Sequence, residues 1–314
     1  MNGIPVSRPV QASTRDPLER LFDISERIPT LIQGISGRVG RRHTALMRKY
    51  GTDIVAGVIA QDRSLPDNEV DGVPVFRSCQ AAVESTGAIA SVVFVRPFDV
   101  LPAMEDAIAG GIKLIVTVTE GMPVADAVRA RALVAAAGAR WIGASTPGIA
   151  APGRFKLGFL PDTSLRPGSL GIMAKSGTLS YEVNYRLAQS GLGQSLWVGV
   201  GGDPVKGTRF AELIPFFEND PNTEAIVLIG EIGGNEEEEF AAAVSRLAVS
   251  KPIFAIVAGQ GVRDGVVMGH VGAVVQGDSG TFLSKKSALD NAGVRVFESI
   301  RSLTTALASQ PWKD

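Results

Sequence analysis

The chain of 314 residues is about two domains long at roughly 150 residues each, and its 45% hydrophobic and 20% charged residues exclude a disordered or collagen-like protein. Thirty-one basic against thirty-two acidic side chains leave a net charge of -1, which argues against a dedicated nucleic-acid binder. One cysteine excludes an intramolecular disulfide, two histidines leave no Cys/His zinc site, and no apolar run approaches the about 20 residues of a membrane-spanning helix.

Residues 1–29 read as an N-terminal extension: an irregular tail, then an amphipathic turn or helix around Pro17 to Ile28. Arg8, Arg15 and Arg20 are interleaved with Asp16, Glu19, Asp23 and Glu26, whereas transit peptides are poor in acids. With no secretory apolar region either, the expected compartment is the cytoplasm.

From Thr30 onward, β-branched runs alternate with helical patterns. Leu31–Ile35, Ile54–Ile59, Ala90–Val95, Ile112–Val118 and Trp141–Gly143 are expected strands; Arg41–Tyr50, Gln80–Ser85, Val100–Ala109 and Ala125–Ala137 are expected helices. Alternation with glycine at the turns predicts βαβ units, and strands apolar on both faces, such as Ser91 to Val95, suit a parallel sheet covered on each side. Residues 145–153 are dense in turn formers and mark a boundary between domains at 30–148 and 149–314. A second series follows, with strands at Ser169–Ala174, Ser195–Val200, Ala225–Ile229 and Pro252–Val257. Its helices are expected at Leu179–Gln189, Phe210–Glu218, Glu236–Ala248 and Gly280–Asn291. The fold class is α/β in both halves.

Four segments carry candidate chemistry. Gly34-Ile-Ser-Gly37-Arg-Val-Gly40 follows the first strand and opens the first helix, where unpaired N–H groups and the helix dipole suit a phosphate. Arg38, Arg41 and Arg42 add guanidinium partners. The spacing is not Gly-x-Gly-x-x-Gly, but NAD remains a competitor, with Asp62 as its ribose partner. Ser176, Gly177 and Thr178 occupy the same place in the second half, where they bind an oxyanion or simply cap a helix. His270, among glycines in Met268-Gly-His-Val-Gly-Ala273, is a candidate nucleophile or base, against the plainer reading of a satisfied loop histidine. Gly277-Asp-Ser-Gly280 imitates a serine-protease motif on the wrong kind of chain. Glu231 ends a parallel strand, where α/β sheets place ligands, and is suited to orient an imidazole. The acidic run Glu236 to Glu239 reads as structural, with Asn235 and Glu238 as a capping pair at a helix start.

Over about Thr30 to Ala306 these pieces resemble the alpha subunit of succinate–CoA ligase. The matching segments are Gln33 to Gly37, Gly40 with His43, Tyr50-Gly-Thr52, Thr117 to Pro123, Ser176 to Glu182, Gly201 to Pro204, Glu224 to Gly234 and Met268 to Ala273. The resemblance implies a Rossmann-like CoA-binding domain followed by a flavodoxin-like ligase domain. It implies that an ATP-grasp beta subunit, in an αβ or α2β2 complex, binds ATP or GTP with Mg2+ and phosphorylates His270. The phosphoryl group then passes to a small carboxylic acid, and coenzyme A attacks the acyl phosphate. On this basis Glu231 bonds the His270 ring, Ser176, Gly177 and Thr178 hold the phosphate, and Tyr181 lies near the acid. CoA contacts fall on Ser36, Gly37, Arg38, Val39, Val118, Thr119 and Glu120, with Arg63 as the cation nearest the position of the family's lysine. No metal ligand in this chain, no nucleic acid and no membrane are implied.

Two loops depart from the family. Ala60 to Ser64 replaces a Pro-Gly-Lys-Gly-Gly run, and Ala144-Ser-Thr-Pro-Gly148 replaces Pro-Asn-Cys-Pro-Gly. Ser145 and Thr146 thereby offer hydroxyls beside the acid, which keeps malate open next to succinate. A non-catalytic CoA-binding or regulatory module is the other reading the changed loop permits.

Overall fold

The computed structural model describes residues 16–60, 68–261 and 280–309. A one-turn helix α1 (Glu19–Phe22) precedes β1 (Thr30–Gln33), α2 (Arg38–Tyr50), β2 (Ile54–Val58), β3 (Glu69–Val70) and β4 (Val73–Phe76). Then come α3 (Cys79–Thr86), β5 (Ala90–Val93), α4 (Val100–Ala109), β6 (Leu114–Thr117), α5 (Val124–Ala136) and β7 (Arg140–Gly143). The sheet order is β3-β4-β2-β1-β5-β6-β7, parallel throughout except for the β3–β4 pair. Its parallel strands, counted along the chain, stand in the doubly wound order 3-2-1-4-5-6. β1, β5 and β6 are buried along their whole length because helices cover both faces.

The second sheet contains β8 (Gly148–Ala151), β9 (Phe155–Gly158), β10 (Pro167–Ala174), β11 (Gln194–Gly199), β12 (Ala225–Glu231), β13 (Ile253–Ala258) and β14 (Arg295–Phe297). Helices α6 (Gly177–Gln189), α7 (Phe210–Asn219), α8 (Glu236–Leu247), α9 (Phe282–Asn291) and α10 (Ile300–Ala308) accompany it. The order β14-β13-β12-β10-β11-β8-β9 places the five parallel strands 2-1-3-4-5, as in flavodoxin-like sheets.

Two expectations need correction. The turn-dense stretch at 145–153 is not a bare connection: β8 and β9 form an antiparallel hairpin that extends the second sheet, with Ile149 and Ala150 registered on Val198 and Trp197. Asn235 makes no side-chain cap at the start of α8. Glu236 and Glu237 behind it turn inward instead, drawn by buried lysines described below.

One apolar cluster runs through both halves, from Ile32 and Met47 through Phe155 and Leu157 to Phe210 and Phe240. The Tyr50-Gly-Thr52 segment serves this junction. Thr52 Oγ1 donates to Lys156 O at 2.8 Å and accepts from Lys156 N–H at 3.1 Å, and Tyr50 Oη accepts from Gly153 N–H. Among the described residues, no helix is long and apolar enough to cross a membrane.

Candidate active site at the carboxyl ends of two sheets

The strand order of the first sheet reverses at β1, so a crevice opens where β1 and β5 end. Gly34 to Gly37 make the turn there, and Gly37 donates back to Gly34 O at 3.0 Å. A Cβ on Gly40 would lie 2.3 Å from Gly34 O, so this close seating of α2 on the turn requires glycine. Gly37 is the N-cap without a side-chain acceptor, which leaves the first N–H groups of α2 for a ligand. Ser36 and Gly37 are half-buried; Arg38 and Val39 are exposed. Val118, Thr119 and Glu120 follow β6 at the same edge, and Thr119 Oγ1 donates to Val95 O at 2.7 Å, tying the end of β6 to that of β5. The structure thus brings together the two predicted CoA segments. Arg63 and Asp62 lie outside the described residues.

In the second sheet the order reverses between β10 and β12. β10 leads through Lys175 into Ser176, whose Oγ accepts from Leu179 N–H and caps α6. The capping reading therefore holds, and it leaves the backbone of Gly177 and Thr178 at the mouth of a 13-residue helix. Tyr181 and Pro147 wall this turn: a Cβ on Gly177 would stand 3.4 Å from both Tyr181 Oη and Pro147 Cβ. Burial pushes the Tyr181 phenol up to about 12, so it keeps its proton near neutral pH. Glu231 ends β12, is buried, and its N–H donates to Glu237 Oε1 at 3.1 Å. Gly233 donates to Gly280 O at 2.8 Å, so the chain leading into α9 starts beside this loop. His270 and the Gly277 to Ser279 part of the protease-like motif lie outside the described residues.

The two turns are joined by the loop between β7 and β8. Ser145 N–H donates to Thr119 O at 3.0 Å on the first sheet, while Pro147, two residues on, faces Gly177 on the second, where an added Cβ would meet it at 3.4 Å. Thr146 lies between them, buried. Its hydroxyl donates to Gly199 O and accepts from Gly148 N–H at 2.9 Å. The hydroxyl expected to face the acid is thus used within the loop, because the hairpin start must be pinned to β11.

The sequence marks the Glu236–Glu239 run as structural but gives little sign of the lysines that meet it beneath the second turn. Lys175, Lys206, Lys285, Glu236 and Glu237 are all buried. Burial disfavours charge on Glu237, yet Lys175 and Lys285 hold its carboxyl below the usual range. Burial lowers Lys206 despite Glu236, whereas for Lys175 the carboxylates of Glu237 and Glu236 outweigh burial and raise it. The position of Lys175, directly after a buried strand, was the one signal available. A separate groove of about 420 Å³, between residues 24–28 and Arg154, shares no residue with either turn.

Two family models match, the CoA binding domain over residues 25–121 and the CoA-ligase over residues 173–295, which places the fold in the class of two-domain CoA ligases. Succinate–CoA ligase [ADP-forming] subunit alpha 2 of Archaeoglobus fulgidus is 46% identical, covering 87% of this chain and 93% of its own length. An ADP-forming sulfoacetate–CoA ligase subunit of Bilophila wadsworthia is 38% identical, over 85% of this chain and 91% of its own. The chain belongs to the family of succinate–CoA ligase alpha subunits. ATP citrate lyase from Methanothrix soehngenii shares the fold over 94% of this chain with a TM-score of 0.79 at 21% identity; the match spans 52% of that longer chain.

Proposed function

We propose that this chain is the alpha subunit of an acid–CoA ligase, with domains at 30–148 and 149–314, working in the cytoplasm beside an ATP-grasp beta subunit. CoA binds the first turn through Ser36, Gly37, Arg38 and Val39 and through Val118, Thr119 and Glu120, with Arg63 as a further cation. A nucleoside triphosphate on the beta subunit, with its Mg2+, gives its terminal phosphoryl group to a ring nitrogen of His270, and the nucleoside diphosphate leaves. The relatives named ADP-forming favour ATP over GTP. Glu231 orients the imidazole, and the Ser176–Thr178 turn stabilises the phosphoryl charge through its N–H groups and helix dipole, which contributes about 1 kcal/mol. A carboxylate oxygen of the acid, beside Tyr181, then takes the phosphoryl group and His270 is left free. The CoA thiolate attacks the acyl carbon and inorganic phosphate leaves.

The observation that carries this reading is the loop from Ser145 to Pro147, which bonds Thr119 at the CoA edge and places Pro147 where a Cβ on Gly177 of the phosphate turn would meet it at 3.4 Å. A thioester-forming ligase needs those two places side by side, and a dehydrogenase does not. Relatives named for succinate and for sulfoacetate support a small acid bearing a second anionic group. The test is incubation of the chain and its beta partner with labelled ATP. An acid-labile, base-stable phosphoprotein is expected from the wild type and none from His270→Asn; equal labelling of both would reject the assignment.

A further inference from the structure

Glu237 sits at the centre of the buried charges, fully enclosed, and makes contacts on both sides of the second crevice. One oxygen lies 2.9 Å from Lys175 Nζ, the residue before the phosphate turn. The same oxygen accepts the Glu231 N–H at 3.1 Å. Its other oxygen pairs with Lys285, which also donates to Gly234 O at 3.0 Å and contacts Glu238 at 2.9 Å. The carboxylate is pressed onto the strand end: a Cβ on Gly230 would stand 2.7 Å from Glu237 Oε1. Lys206 and Glu236, 2.9 Å apart, extend the cluster to α7, where Glu236 also accepts the Phe210 N–H.

Stability alone is a poor reason for such a cluster, because the cost of desolvating each ion offsets most of the attraction and apolar residues fill the same volume as well. The cluster's contacts have a narrower pattern. They tie the end of β10 to the end of β12, the two backbone segments that must face one phosphoryl group. Resting on the functional reading above, we propose that Lys175 and Glu237 are positioning residues for phosphoryl transfer. Through their ion pair they fix the Ser176–Thr178 turn relative to Glu231. Neither touches the reacting atoms. Small misplacements suffice for a large effect, since a shift of about 1 Å can cost about a hundredfold in rate.

The test uses the full chain reconstituted with its beta subunit and compares wild type, Lys175→Met and Lys175→Arg. Lys175→Met leaves Glu237 paired with Lys285. It is expected to melt cooperatively and to bind CoA as wild type does, since the CoA edge lies on the other sheet. Phosphoenzyme formation should slow about a hundredfold, with kcat falling and KM for the acid little changed. Lys175→Arg, which keeps the charge, should recover most of the rate. A folded Lys175→Met that takes label at the wild-type rate overturns the proposal. If that variant does not fold, Lys175→Met/Glu237→Gln removes one charge of each sign and leaves Lys285 with Glu238; wild-type labelling in it has the same meaning. Wild type that takes no label at all rejects the functional reading itself, and the positioning role with it.

Discussion

Arg154, on the turn between β8 and β9, donates to Leu21 O at 2.8 Å and so fastens the N-terminal segment to the second sheet. Its other guanidinium nitrogen reaches the carbonyls of Asp23 and Glu26. Asp16 pairs with Arg140 of β7 at 3.0 Å, and Phe22 packs edge-on against Phe217 of α7. Leu18 and Leu21 are as buried as any core residue. What reads as an extension is, from Asp16 onward, a strap across both sheets. Leu21→Ala should therefore lower stability by about 2–5 kcal/mol, as a large-to-small core change. Denaturant melts of the two chains measure this; a difference below 1 kcal/mol, on the order of a surface change, would remove the strap from the core.

Gly177→Ala separates folding from chemistry. The added methyl meets Tyr181 Oη and Pro147 Cβ at 3.4 Å, ordinary contact distance, and the backbone there is helical. Alanine at a compatible site typically stabilises by about 0.4–1 kcal/mol through the unfolded chain. The same methyl occupies the space where the phosphoryl oxygens are proposed to sit. The expected result is a melting temperature at or above wild type together with phosphoenzyme formation slowed at least about tenfold, on the order of a lost oxyanion contact. An unchanged labelling rate would move the phosphate elsewhere.

Much of this was legible in the chain itself, for a physical reason. A βα turn announces itself through glycine and small hydroxyl residues directly after an apolar run, and both turns carry that signature. Strands buried on two faces are readable as β-branched runs. β8 and β9 were hidden because their close approach demands glycine: a Cβ on Gly148 would lie 1.9 Å from Leu157 O, so residues that signal a loop are what the hairpin needs. The β3–β4 hairpin did carry a signal, Asp71-Gly72 between valines, with both residues at positive φ as a two-residue turn requires. Beyond Lys175 directly after its strand, the buried lysines carried no signal, because their carboxylate partners all come from α8, distant in sequence from each of them. A run of four glutamates looks the same whether it faces water or three ammonium groups.

His43 illustrates a motif residue whose role is packing. Its ring packs against Phe94 and Phe159, with centroids at 5.9 and 4.4 Å. Burial first, then Arg42 and Lys156, hold it below the ordinary histidine value of 6.5. The folded protein thus binds fewer protons here than the unfolded chain. Stability from this group is complete above the unfolded value and is lost as pH falls below it. Between pH 7 and 5 the melting temperature of wild type should fall more steeply than that of His43→Gln. Parallel curves would show that the imidazole titrates alike in both states.

Thr146 gives the sharpest test of how the acid is chosen. Its hydroxyl has a donor's and an acceptor's work inside the loop, toward Gly199 O and from Gly148 N–H. Thr146→Val leaves that buried N–H without its acceptor, which costs about 1–3 kcal/mol. Because the hydroxyl is engaged inside the loop, the ratios of kcat/KM among succinate, malate and sulfoacetate should stay within about twofold, far less than a lost substrate hydrogen bond produces. Ser145 differs. Its backbone alone is engaged with Thr119, it is half-buried, and φ of 57° turns it away from the strand direction at the junction of the two turns. If this loop selects the acid, Ser145→Ala is the change that moves those ratios and Thr146→Val is the one that does not. A shift in preference with Thr146→Val would mean that its hydroxyl leaves Gly199 when the acid binds, and that the loop is remade around its substrate.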